Sequence, residues 1–143
     1  MSWVIDGNNV LGRAGASRAD TDPKRQLVRT LANFARVKRT KVACYFDGIE
    51  PEHFGRYLGS VSVIFSGARS ADDLIASKVA DGGGWKVVTA DRGLAARIRR
   101  RQVEIIDPAS FMTELESLPQ GEEKVASDDW QAWFADPKNR NIF

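Results

Sequence analysis

The sequence predicts a three-layer α/β domain with a mostly parallel central sheet of about five strands. Three observations predict it. Short apolar runs bounded by turn residues alternate with segments of helical periodicity. Three of those runs, Trp3 to Asp6, Val42 to Asp47 and Trp85 to Asp91, close on an aspartate. The 143 residues, 43% of them hydrophobic, suffice for one buried core without a disulfide or metal staple.

In chain order, Trp3-Val4-Ile5 reads as a buried strand stopped at Asp6, and Gly7-Asn8-Asn9 reads as a turn. From Gly12 to Arg18 we expect a glycine-punctuated basic loop that connects strand to helix and offers Arg13 and Arg18 to a phosphate. It has neither a dinucleotide fingerprint nor a P-loop ending. Asp22 as N-cap and Pro23 at the first position open a helix carrying Leu27, Val28, Leu31, Ala32, Phe34 and Ala35 on one face. Lys41 to Asp47 is the second strand, and Ser60 to Phe65 the third.

Ser70 followed by Asp73 resembles a capping box and starts the next helix. A helix end does not need both Asp72 and Asp73, so one is expected to face the site and the other to serve the helix. Gly82-Gly83-Gly84 ends this helix and releases the fourth strand. Asp91 then caps a helix from Arg92 to Arg101, whose Arg97, Arg99, Arg100 and Arg101 form a basic cluster. Gln102 to Ile106 is the fifth strand, and Pro108 to Leu118 the closing helix.

Residues 1–118 are expected to form the domain, and 119–143 a linker and aromatic tail. In the tail, Trp130, Trp133 and Phe134 share one helical face, which either docks on the domain or anchors a partner or second copy. Net charge is +2, divided between +6 on residues 1–113 and −4 on residues 114–143, which suits a polyanionic partner. Cys44, the single cysteine, is read as a buried apolar residue in a reducing compartment, and no leader or apolar span is seen, so a cytoplasmic protein is expected. With one histidine, His53, there is no basis for a zinc site or a Ser/His/Asp triad.

Neighbouring strands of a parallel sheet end about 4.8 Å apart on one edge. Asp6, Asp47 and Asp91 are therefore expected to converge with an acid from the Asp72-Asp73 pair. Carboxylates so placed repel unless a cation lies between them, and an oxygen-only set supplemented by Asn9 favours Mg²⁺ or Mn²⁺ over Zn²⁺. Such ions activate water for phosphodiester hydrolysis. Arg69 and Arg92, flanking these acids, join Arg13, Arg18 and the Arg97 to Arg101 cluster as expected RNA contacts. A phosphomonoesterase with Asp6 as nucleophile is weakened because Asn8 stands where the second aspartate is needed.

The ordered motifs DGNNV (Asp6 to Val10), YFDG (Tyr45 to Gly48), VIFSGARSADDLI (Val63 to Ile75) and VVTADRG (Val87 to Gly93) resemble the NYN-domain family, in particular its YacP-like branch, within the PIN-like nuclease superfamily. The resemblance spans about residues 3 to 115. It implies a PIN-like fold and a metal-dependent endoribonuclease in which Asp6, Asn9, Asp72, Asp73 and Asp91 match the active-site positions and Asp47 the second-strand acid. Asn8 stands where that family usually has tyrosine, and Ala90 where serine is common. The alternative is a catalytically silent module of the same fold that binds RNA or protein.

Overall fold

The structure is a computed structural model that describes residues 2–13, 22–80, 84–99 and 102–119. The tail face of Trp130, Trp133 and Phe134 lies outside the described residues, as do Arg18, Arg100, Arg101 and the Arg13 side chain.

The elements run β1 (Ser2–Asp6), α1 (Gly7–Arg13), α2 (Asp22–Lys38), β2 (Lys41–Phe46), β3 (Tyr57–Leu58), β4 (Val61–Phe65), α3 (Ala71–Val79), β5 (Trp85–Val88), α4 (Arg92–Ile98), β6 (Val103–Ile106) and α5 (Pro108–Glu116). They build one six-stranded sheet in the order β3-β4-β2-β1-β5-β6, parallel except for the β3–β4 pair. The five expected strands are all present. The sixth, β3, is two residues long and carries no periodic pattern, so it escapes a reading by alternation.

β1 lies in the middle, pairing Asp6 with Tyr45 on one side and Ile5 with Val88 on the other. Its run is apolar throughout because both faces are covered. Trp3 and Ile5 face the layer of α1, α2 and α5, where Leu27, Leu31, Phe34, Phe111 and Leu115 are buried. Val4 faces the opposite layer with Ile75, Val79, Leu94 and Ile98 from α3 and α4. Trp3, Phe34 and Phe111 meet at centroid distances of 4.9 to 5.6 Å, joining the central strand to the two long-range helices of that layer.

The chain leaves β1 through the α1/α2 layer to reach β2, and leaves β4 through α3 on the other face to reach β5. The connections part between β1 and β5, which makes the carboxyl ends of those two strands the crevice where open α/β sheets bind ligands.

The segment after Asp6 differs from expectation. The turn and loop predicted from Gly7 onward is α1, a seven-residue helix that starts directly at the strand end. Gly7 permits this entry: a Cβ there would sit 2.6 Å from Phe46 Cδ1 and 2.9 Å from the Tyr45 carbonyl oxygen. Asn8 and Asn9, read as turn formers, instead use their side chains across the sheet edge.

Candidate active site

Asp6 is the last residue of β1 and is 4% exposed. Its Oδ2 accepts a hydrogen bond from the Thr89 hydroxyl at 2.9 Å, and the same hydroxyl oxygen accepts the Asp91 N–H at 3.1 Å. Thr89 is thus the joint between the central carboxylate and the turn that opens α4. Nothing in the sequence marks it beyond its place at the end of an apolar run.

The two asparagines hold the neighbouring strand ends. Asn8 Oδ1 accepts the Asp47 N–H at 2.6 Å, and Asn9 Oδ1 accepts the Ala90 N–H at 2.7 Å. One step along α1 therefore ties β1 to the segments following β2 and β5 in turn. Expected as a ligand-orienting group, Asn9 has its oxygen engaged with backbone and positions the Thr89–Asp91 turn.

Asp47 and Asp73 are both committed to helix ends. Asp47 Oδ1 accepts the Ala71 N–H at 2.8 Å and so satisfies the first turn of α3 from a different strand. Ser70 caps α3 by accepting the Asp73 N–H at 3.1 Å, as the capping-box spacing implied. The Asp73 carboxylate then pairs with Arg97 at 2.9 Å, which holds its pKa below the usual range.

Asp72 lies on the other side of that first turn and shares a hydrogen bond with Asp91. Asp91 also caps α4, accepting the Leu94 N–H at 3.0 Å. Backbone donors and the Asp72 hydroxyl keep Asp91 ionised, its pKa lowered. Desolvation first, then the bond to Asp91 and the charges of Asp91, Asp6 and Asp47, raise Asp72 to about 7. The pair therefore holds one proton, carried on Asp72. Asp6 is raised to about 6, chiefly by burial, against the opposing pull of Thr89 and the Asn9 N–H.

Among the described residues, no three His, Cys, Asp or Glu side chains are gathered as a preformed metal site. The donor chemistry nevertheless fits a hard divalent cation. Asp6, Asp72 and Asp91 offer carboxylate oxygens alone, and buried Cys44, its thiol pKa pushed well up, supplies no thiolate.

Of the expected RNA contacts, Arg69, Arg92 and Arg99 are exposed and Arg97 is bound to Asp73. His53 stands exposed in the β2–β3 loop beside Glu52 at 3.6 Å, away from these acids. No helix among the described residues is long and apolar enough to cross a membrane.

The six-stranded, mostly parallel sheet covered on both faces by helices is the PIN-like nuclease fold of the NYN domains. The chain belongs to the YacP-like NYN domain family, whose model matches residues 3–139, further along the chain than the four motifs reach. Among solved structures it is similar to Rae1 (YacP) from Bacillus subtilis, with a TM-score of 0.71 at 17% identity over 96% of this chain and 84% of that one. The W164L mutant of the same protein gives a TM-score of 0.68 at 16% identity, covering 96% and 86% respectively. None of the curated proteins matches this chain in sequence.

Proposed function

We propose that this protein is an endoribonuclease that hydrolyses RNA phosphodiester bonds with the help of Mg²⁺ or Mn²⁺ at the β1–β5 crevice. The observation that supports the reading is the acidic edge itself: Asp72 hydrogen-bonds Asp91, and both Asp6 and Asp72 have raised pKa values to which the neighbouring carboxylates contribute after burial.

Asp6, Asp91 and Asp72 are the residues that would hold the ion, Asp72 giving up its proton to do so. A divalent ion bound there supplies a water activated at neutral pH and stabilises the attacking and leaving oxygens. Thr89 orients the Asp6 carboxylate, and Asn9 fixes the turn that presents Asp91. Asp47 stiffens the start of α3 so that Asp72 stays on the crevice side. Arg69, Arg92 and Arg99 offer phosphate contacts at the rim.

The test is cleavage of labelled single-stranded and structured RNA with Mn²⁺, with Mg²⁺ and with EDTA, alongside Asp6→Asn. Metal-dependent cuts that vanish in a folded Asp6→Asn protein are expected. RNA affinity indifferent both to metal and to that substitution, with no cleavage, would point instead to a binding module.

A further inference from the structure

The sheet has a second charged end, opposite the first. At the amino ends of β1 and β2, Ser2, Ala35, Arg36, Arg39, Thr40, Lys41 and Ser60 line an open recess of about 510 Å³. Among the described residues none of those lining it is acidic. Ser2 and Lys41 face each other in register, so the recess is built on the same two strands whose far ends carry Asp6 and Asp47. Four residue steps of about 3.3 Å put it roughly 13 Å from Asp6 along β1.

The backbone is fixed where the cations stand. Arg39 adopts a left-handed conformation (φ 53°), its N–H bonding the Arg36 carbonyl, and the Thr40 N–H bonds the Ala35 carbonyl. This closes the end of α2 and turns the chain into β2 within two residues. Arg36 is steadied by Asn33 at 2.7 Å. Arg39 and Lys41 lie past the end of α2, whose dipole is equivalent to about half an elementary charge and where Lys38 already pairs with Glu114 at 3.3 Å. Hydroxyls of Ser2 and Ser60 add neutral donors of the kind that complete phosphate sites.

The carboxyl edge repels a polyanion until a cation is bound, so cations away from that edge add to the affinity its rim arginines supply for a phosphate backbone. We propose that the amino-edge recess is a second phosphate-binding site that grips the RNA backbone at a distance from the scissile bond. The inference rests on the RNA-nuclease reading above, and its test is a binding measurement in EDTA, which the failure of catalysis does not touch.

Two triple variants are compared by fluorescence anisotropy on labelled RNA across a KCl series. One is Arg36→Gln, Arg39→Gln, Lys41→Gln. The other, with the same loss of charge, is Arg56→Gln, Lys78→Gln, Lys86→Gln. Each lost phosphate contact lowers the slope of log K against log[salt] by about 0.7 on single strands, so the recess variant is expected to lose a slope of about 2 and at least tenfold in affinity at about 50 mM KCl. The control is expected to lose less than about threefold. Equal losses in both variants would reduce the effect to net charge and overturn the proposal, as would no loss in either. If the recess variant does not fold, Lys41→Gln alone carries the same comparison against Lys78→Gln. Inorganic phosphate is the second probe, read as amide shifts of Ser2, Thr40 and Ser60. Shifts with phosphate but unchanged RNA affinity in the variant would assign the recess to a free anion and overturn the backbone assignment.

Discussion

The Thr89 hydroxyl donates to Asp6 Oδ2 at 2.9 Å across 83 positions of sequence, while accepting the Asp91 N–H at 3.1 Å. Removing it takes from the buried carboxylate its side-chain donor, leaving only the Asn9 N–H, and takes from the Asp91 N–H its acceptor. Thr89→Val is therefore expected to destabilise the fold by about 1–3 kcal/mol, and Thr89→Ser to retain most of the stability. Urea midpoints of the three proteins at pH 7.5 check this; equal midpoints for valine and serine would exclude the hydroxyl's role.

Asp6 has a price in stability that depends on pH. Its pKa is about 6 when folded against an ordinary 3.8, so between those values the folded protein holds the extra proton. The Asp6 contribution to stability is greatest below about pH 4, falls as pH rises to about 6, and is level above. Asp6→Asn keeps an acceptor for Thr89 and removes the buried charge. Without divalent cations it is expected to be more stable than wild type by about 1–3 kcal/mol at pH 7.5, the gap closing near pH 4. Urea titrations in EDTA at the two pH values measure it.

Divalent cations should reverse that penalty. Asp72, raised to about 7 by burial and its acidic neighbours, must lose its proton before it can take a metal. Melting temperature with excess Mn²⁺ is expected to rise relative to EDTA at pH 8 and scarcely at pH 5.5. Asp72→Asn should abolish most of the pH 8 increment; a full increment in that variant removes Asp72 from the site.

The adjacent acids should separate cleanly. Asp73 points to Arg97 and the α3 end, Asp72 to Asp91. In an RNA cleavage assay Asp72→Asn is expected to lose at least about a hundredfold in rate, the scale of a lost charge-stabilising group, and Asp73→Asn less than about tenfold. Equal losses would contradict this division of labour.

Gly7→Ala tests the entry to α1. The added methyl meets the Phe46 ring and the Tyr45 carbonyl, and Phe46 is fully buried. A destabilisation of at least about 1–3 kcal/mol is expected from thermal or urea unfolding, the usual scale of overpacking.

The architecture was legible because both its signals are local. Continuous apolar runs marked β1, β2, β4, β5 and β6, and cap residues marked α3 and α4, where Ser70 and Asp91 each accept from the N–H three residues on. What the sequence hid is long-range. Gly7-Asn8-Asn9 has turn composition, yet the helix begins there because both asparagine side chains find backbone partners on adjacent strands. β3 forms only because its two residues lie against β4. The expectation that Asp6, Asp47 and Asp91 share one sheet edge with an acid of the Asp72-Asp73 pair followed from parallel topology, whereas which of that pair is tied to Arg97 depends on a residue 24 positions on.

The middle place of β1 has a bearing on synthesis. The first strand made is flanked by the second and by the fifth, so Asp6 leaves the ribosome more than eighty residues before Thr89 and Asp91 exist to join it. A nascent or truncated chain lacking β5 holds its acids apart. The candidate catalytic centre is therefore assembled late, by closure of the whole sheet, and partly made copies carry no such centre.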